Sequence, residues 1–167
     1  MGGLDIMVNN AGTAGPTALI EDISLEEWHN CLNINLTSAF LGTQLAIPRI
    51  KESDNLGGSI INLSSAAGKF GFPLRSPYSA AKWAIVGMTK YLAVYFAQKG
   101  IRVNCLSPTG VYNNHPENFV EKLSNIIPMG RMADIDEYKG AIVFLCSSAS
   151  SYMTGENMVI DGGKTVW

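Results

Sequence analysis

Short runs that are apolar at consecutive positions alternate along this chain with long segments of helical periodicity. That alternation constrains the fold more than any other feature. The runs are Leu4–Val8, Ser59–Leu63, Ile101–Leu106 and Asn157–Ile160. In a strand, successive side chains point to opposite faces, so such a run must be covered on both sides. The arrangement that does this is a parallel sheet between helical layers, an α/β architecture. Each run stops at a turn-forming cluster: Asn9-Asn10-Ala11-Gly12, Ser64-Ser65, Ser107-Pro108 and Asp161-Gly162-Gly163.

The helical segments have their own punctuation. Ser24-Leu25-Glu26-Glu27 reads as a capping box, and Leu25, Trp28, Leu32, Leu36, Phe40, Leu41 and Leu45 carry that helix forward at helical spacing. The longest helix runs from about Ser79 to Gln98. Ala81, Ala84, Ile85, Met88, Leu92, Tyr95 and Phe96 line one of its sides, and Gly100 closes it. Residues 110–133 read as irregular or weakly helical, with Pro116 and Pro128 as breakers, and Asp136–Ser147 as a further helix. No repeat, low-complexity segment or linker divides the chain, so residues 1–167 are expected to form a single domain.

Composition removes several functions. A net charge of −2 gives no basic footprint for nucleic acid. No apolar run reaches the roughly 18 residues of a membrane helix. The first residues, Met1-Gly2-Gly3-Leu4-Asp5, lack the basic start and apolar core of a signal peptide. Cys31, Cys105 and Cys146 are odd in number, far apart and set among apolar neighbours, so free thiols and a cytoplasmic location are expected. No metal-ligand spacing is present, and His29 and His115 are isolated.

Chemistry enters at Tyr78-Ser79-Ala80-Ala81-Lys82. A phenol and an amine four residues apart share one face of a helix. The ammonium can stabilise a phenolate, making Tyr78 a proton donor and acceptor below its free pKa of about 10. Ser65, thirteen residues upstream, supplies a hydroxyl that could hold a substrate oxygen against the phenol. These groups suit the interconversion of an alcohol and a ketone.

In order along the chain stand Asn9-Asn10-Ala11-Gly12, Asn33-Ile34-Asn35-Leu36-Thr37, Gly58 to Ser65, Tyr78-x-x-x-Lys82, Ile101 to Asn104 with Ser107-Pro108, and Thr154-Gly155 through Asp161-Gly162-Gly163. A Tyr-x-x-x-Lys alone is common, but six ordered motifs are not. Together they resemble the short-chain dehydrogenase/reductase family over essentially the whole chain. The resemblance implies a catalytic set of Asn35, Ser65, Tyr78 and Lys82. It makes Tyr78 the acid or base, Ser65 the group that orients the substrate carbonyl, and Asn35 the anchor of a water relay. Lys82 holds the nicotinamide ribose and lowers the tyrosine pKa. The resemblance also implies NAD or NADP as cofactor, touched by Asn10, Ala11, Gly12, Tyr78, Lys82, Pro108, Val111 and Asn113. Two positions depart from the pattern: Thr109 stands where glycine is frequent, and Asn113 where threonine is.

The implied fold is a Rossmann-type doubly wound parallel sheet, but truncated. Met1-Gly2-Gly3 resembles the lead-in to the family's fourth strand, and no glycine-rich pyrophosphate loop precedes it. The first three strands and that loop are therefore expected to be missing, along with the residue that selects NAD or NADP. Leu4–Val8 should then be a bare edge with an apolar flank. The expected protein is an NAD(P)-dependent oxidoreductase acting on a small-molecule secondary alcohol or ketone, this chain being an incomplete form. It is expected to form a homodimer or homotetramer, the default for the helix carrying Tyr78, with no nucleic-acid or membrane partner. Two rival readings are a non-catalytic short subunit that modulates a full-length relative, and an enzyme of a sugar or glycan pathway. The substrate pocket should be framed by Ala66–Pro77 and Val111–Met129, with Asn113, Asn114, His115 and Glu117 suggesting a hydroxylated ligand.

Overall fold

A computed structural model describes residues 3–53 and 57–167. The lead-in residues Met1 and Gly2 lie outside the described residues. Four strands form one parallel sheet: β1 (Ile6–Asn9), β2 (Gly58–Leu63), β3 (Ile101–Pro108) and β4 (Asn157–Ile160), adjacent in chain order. Pairing is in register from Ile6 opposite Ser59, Gly58 opposite Ile101 and Cys105 opposite Asn157. The helices are α1 (Leu25–Leu32), α2 (Ser38–Lys51), α3 (Ser76–Phe96), α4 (Glu117–Ser124) and α5 (Lys139–Cys146). Among the described residues, no helix is long and apolar enough to cross a membrane.

Two consecutive isoleucines of β2 show why its run is apolar throughout. Ile60 packs with Ala46 and Ile50 of α2 and Ala93 and Phe96 of α3. Ile61 points the other way, against Tyr138 and Leu145 of the α5 segment. Both are fully buried, each contributing on the order of 1.5–3 kcal/mol. The sheet thus has α2 and α3 on one face and α5 on the other. The outer edge of β1 has no strand partner among the described residues, and Ile6 and Val8 beside it are 41% and 36% exposed. The expected bare, apolar edge is present.

The helices depart from their sequence reading in two ways. Ser24 does cap α1 with a reciprocal Ser24–Glu27 box. The helix does not run uniformly, because residues Asn33–Thr37 form a π-helical turn between α1 and α2. The large apolar residues at helical spacing also lie outside the core: Leu25, Phe40, Leu41 and Leu45 are exposed. The inward stripe is Cys31, Asn35, Ala39, Thr43, Ala46 and Ile50, mostly small or polar. Small residues are needed because α2 lies close on β1. A Cβ added at Gly42 would collide with Oδ1 of Asn9 and approach Met7 Cε at 2.8 Å. On α3, Tyr95 is likewise exposed, whereas Thr89 and Lys82 are buried. The segment from 110 to 133 contains a distinct helix, α4. Gly100, in the left-handed region at φ 73°, ends the α3 segment as expected.

Candidate active site

Parallel strands gather their carboxyl ends at one edge, the usual place for ligands in open α/β sheets. Here that edge holds Asn10–Gly12 after β1, Ser64 and Ser65 after β2, Pro108 at the end of β3 and Asp161 after β4. The first turn of α3, with Pro77 near its start, brings Tyr78 and Lys82 to the same place.

Ser64 and Ser65 have opposite fates. Ser64 is buried and its hydroxyl donates to the Lys82 carbonyl at 2.8 Å, fastening the loop to α3. Ser65 accepts a bond from the Ala67 amide at 3.2 Å and faces a cavity of about 180 Å3 that Tyr78 also lines. Burial pushes the Tyr78 phenol above its ordinary value, while the Ser65 hydroxyl and the Arg75 guanidinium pull it back down.

Lys82 is 4% exposed, its Nζ donating to the Leu63 carbonyl at 2.9 Å and lying 5.6 Å from the Tyr78 ring centre. Burial pulls its pKa down. On the phenol itself desolvation is the largest influence.

Asn35 sits in the π-helical turn, four residues after Cys31, whose carbonyl its side chain reaches. Its Nδ2 takes up that carbonyl at 2.9 Å and reaches the Thr13 carbonyl at 2.9 Å. Its Oδ1 accepts from the Thr13 amide at 3.2 Å. Asn35 therefore fastens the loop after β1 to the helix, and it stands beside Lys82 as well. A Cβ on Gly12 would lie 3.0 Å from Asn35 Oδ1 and 3.6 Å from Lys82 Nζ, so both line the hollow over this glycine.

Asn10, Ala11 and Gly12 are exposed at the mouth of that hollow. Asn9 is instead buried and donates to Thr43 at 3.0 Å and Asn62 at 2.8 Å. Asn62 in turn donates to Thr89 at 2.9 Å, extending a polar chain between sheet and helices. Pro108 ends β3, but Val111 packs into the α5-side core and bridges Ala133. Asn113 is exposed and its amide donates to His115. Arg131 pairs with Glu137 at 2.7 Å, holding that carboxyl down at about 2.

The expected polar frame of the pocket is not the observed one. Asn113, Asn114, His115 and Glu117 do not line the cavity, and the His115 ring stacks instead on Phe119 at 4.8 Å. The lining includes Phe72, Arg75, Leu123 and Lys164. Arg75 and Lys164 went unnoticed in the sequence. Arg75 lies three residues before Tyr78, a signal available to inspection, but Lys164 follows a glycine turn with no motif of its own.

Comparison with known proteins places the chain among its relatives. A family profile described as Enoyl-(Acyl carrier protein) reductase matches residues 1–165. The chain is 43% identical over 166 residues to trans-4-hydroxycyclohexanecarboxylate dehydrogenase of Sinomonas cyclohexanicum, covering 98% of this chain and 61% of that protein. It superposes on acetoin dehydrogenase from Enterobacter cloacae with a TM-score of 0.88 and 33% identity, over 98% of this chain and 65% of that one. A gluconate 5-dehydrogenase from Burkholderia cenocepacia, in complex with NADP and tartrate, gives a TM-score of 0.92 at 31% identity, over 99% and 66%. The chain belongs to the short-chain dehydrogenase/reductase family, a family of oxidoreductases with the Rossmann-type fold. It spans somewhat less than two thirds of the length of these relatives.

Proposed function

We propose that the chain carries the proton-transfer site of an NAD(P)-dependent oxidoreductase that interconverts a secondary alcohol and a ketone. The observation that supports this most is the shared cavity of Ser65 and Tyr78, with Lys82 and Asn35 behind it at Gly12. When bound, the dinucleotide supplies the hydride acceptor or donor. Gly12 leaves beside Asn35 Oδ1 and Lys82 Nζ a space that a side chain would crowd, and the nicotinamide ribose would be held there. Asn10, Ala11, Gly12, Tyr78 and Lys82 would hold that end, with Pro108 nearby. Val111 contributes through backbone only, since its side chain is committed to the core. Asn113, exposed on the outer loop, is the weakest of the expected contacts.

In the oxidising direction Ser65 holds the substrate oxygen and Tyr78 takes its proton; reduction reverses this. Because burial favours the neutral phenol, Tyr78 is held ready as the acid of the reducing direction. Lys82 and Asn35 provide the inner end of a path by which the proton leaves. The alcohol dehydrogenation named in the relatives above supports the reaction class.

Tyr78→Phe removes one hydroxyl and keeps the ring, so it tests the assignment directly. NAD(P)-dependent oxidation of secondary alcohols should fall by at least about a hundredfold, while the thermal midpoint stays near that of the parent. Parent-like turnover in this variant sinks the reading.

We infer also that the chain associates with a second copy of itself through α2 and α3. Supporting this, the outer faces of both helices carry large apolar residues, among them Leu45 at 72% and Val94 at 83% exposure.

A further inference from the structure

Lys164 presents a problem that the proton-transfer site alone does not resolve. Its ammonium nitrogen is buried, yet it has no hydrogen-bond partner. Burying an unpaired charge is costly, so such a group either loses its proton or awaits an anion. Its position is imposed by the turn before it. The Asp161 carboxylate accepts from the Gly163 amide at 2.9 Å and the Thr165 amide at 2.8 Å, and so is committed to backbone. Gly163, at φ 91°, packs against Pro128, where an added Cβ would lie 3.1 Å from the ring. The chain is thus turned back over the carboxyl edge of the sheet. There Lys164 Nζ lies 5.7 Å from the Phe70 ring centre and 5.1 Å from that of Phe72. The two rings and the nearby Asp161 carboxylate compensate the charge in part.

Lys164 and Phe72 both line the cavity of Ser65 and Tyr78. Arg75 lines it too, its Nη1 anchored on the Ala14 and Gly15 carbonyls at 2.9 and 3.0 Å. The lining contains two cations and no carboxylate. At about 180 Å3 it suits a small molecule rather than a long acyl chain.

We propose that the substrate of this site is a small hydroxy- or oxo-carboxylate whose carboxylate is bound by Lys164, with Arg75 as the second positive group. This deepens the alcohol dehydrogenase reading and rests on it for the word substrate, but the carboxylate site itself can be tested without turnover. Cyclohexanecarboxylate and cyclohexanecarboxamide have nearly the same shape, differ in charge, and carry no hydroxyl to oxidise. Binding of each is measured by isothermal titration to the protein without cofactor, and again to Lys164→Met and Lys164→Arg. The carboxylate should bind the parent at least about tenfold more tightly than the amide. Lys164→Met should abolish the preference and Lys164→Arg retain it. Equal affinity for the two probes, binding of neither, or a preference that survives Lys164→Met overturns the proposal. The parent comparison alone decides the matter if a variant fails to fold. A protein that prefers the carboxylate, and whose Tyr78→Phe variant oxidises alcohols as the parent does, would refute the proton-transfer reading and leave this site standing. One that oxidises neutral alcohols without a carboxylate preference would do the reverse.

Discussion

Ser64 donates to a helix carbonyl inside the protein, whereas Ser65 turns to the cavity, so the two alanine variants should separate stability from chemistry. Ser64→Ala leaves a buried bond unmade and should cost about 1 kcal/mol of stability with turnover largely retained. Ser65→Ala should keep its thermal midpoint and lose turnover by about tenfold or more, through the lost grip on the substrate oxygen. Steady-state kinetics beside thermal denaturation checks both, and the reverse pattern contradicts the assignment. Tyr78 allows a second check, in pH. Its folded-state pKa is raised above 10, so the unfolded chain releases the proton first. The stability it contributes is complete below pH 10 and is lost as pH rises through the folded value. Thermal midpoints measured upward from pH 9 should therefore fall less steeply in Tyr78→Phe than in the parent. At this scale the sequence was informative where a residue's role is set by local spacing, as for Tyr78 and Lys82 on one helix turn. It was silent for Lys164 and its ring partners Phe70 and Phe72, which lie over ninety residues apart and meet only through the fold.

The interface between α2 and β1 shows what the helical pattern could not reveal. Periodicity marks a helix but does not say which of its faces is inside, and here the bulky face is the outer one. The inner face is set by a polar network of Asn9, Thr43, Asn62 and Thr89, which admits only small neighbours. Gly42→Ala should therefore be destabilising by about 1–3 kcal/mol, because the new methyl meets Asn9, whose amide is held by two bonds. Gly140→Ala, in α5 with nothing within 4 Å of the added carbon, should stabilise by up to about 1 kcal/mol. Chemical denaturation of the two variants tests the pair. A harmless Gly42→Ala would mean that the Asn9 network can yield. The π-helical turn was illegible for a related reason. Asn33–Thr37 has ordinary helical composition, and within that turn Asn35 holds both the Cys31 carbonyl and the Thr13 loop.

Taken whole, the molecule has a parallel sheet that was readable from the alternation of apolar runs, and an exposed surface whose apolar content was not. Two sets stand out among the exposed apolar residues: Ile6 and Val8 along β1, and those on the outer sides of α2 and α3. The second set is the larger, with Phe40, Leu41 and Leu45 on one helix and Trp83, Tyr91, Val94 and Tyr95 on the other. A patch of this kind is covered in solution or promotes association. A second copy is the partner supported by the homo-oligomeric reading of α3, since a two-fold axis lets one surface cover its own equivalent. Val94 and Leu45 point to solvent and support no core packing in a single chain, so Val94→Lys and Leu45→Lys should leave the monomer's fold intact. Two like charges brought together across a two-fold axis would oppose the association. Sedimentation velocity should find the parent as a dimer or tetramer and Val94→Lys as a monomer, with unchanged far-ultraviolet circular dichroism. A monomeric parent, or a variant of unaltered mass, would remove α2 and α3 as the contact.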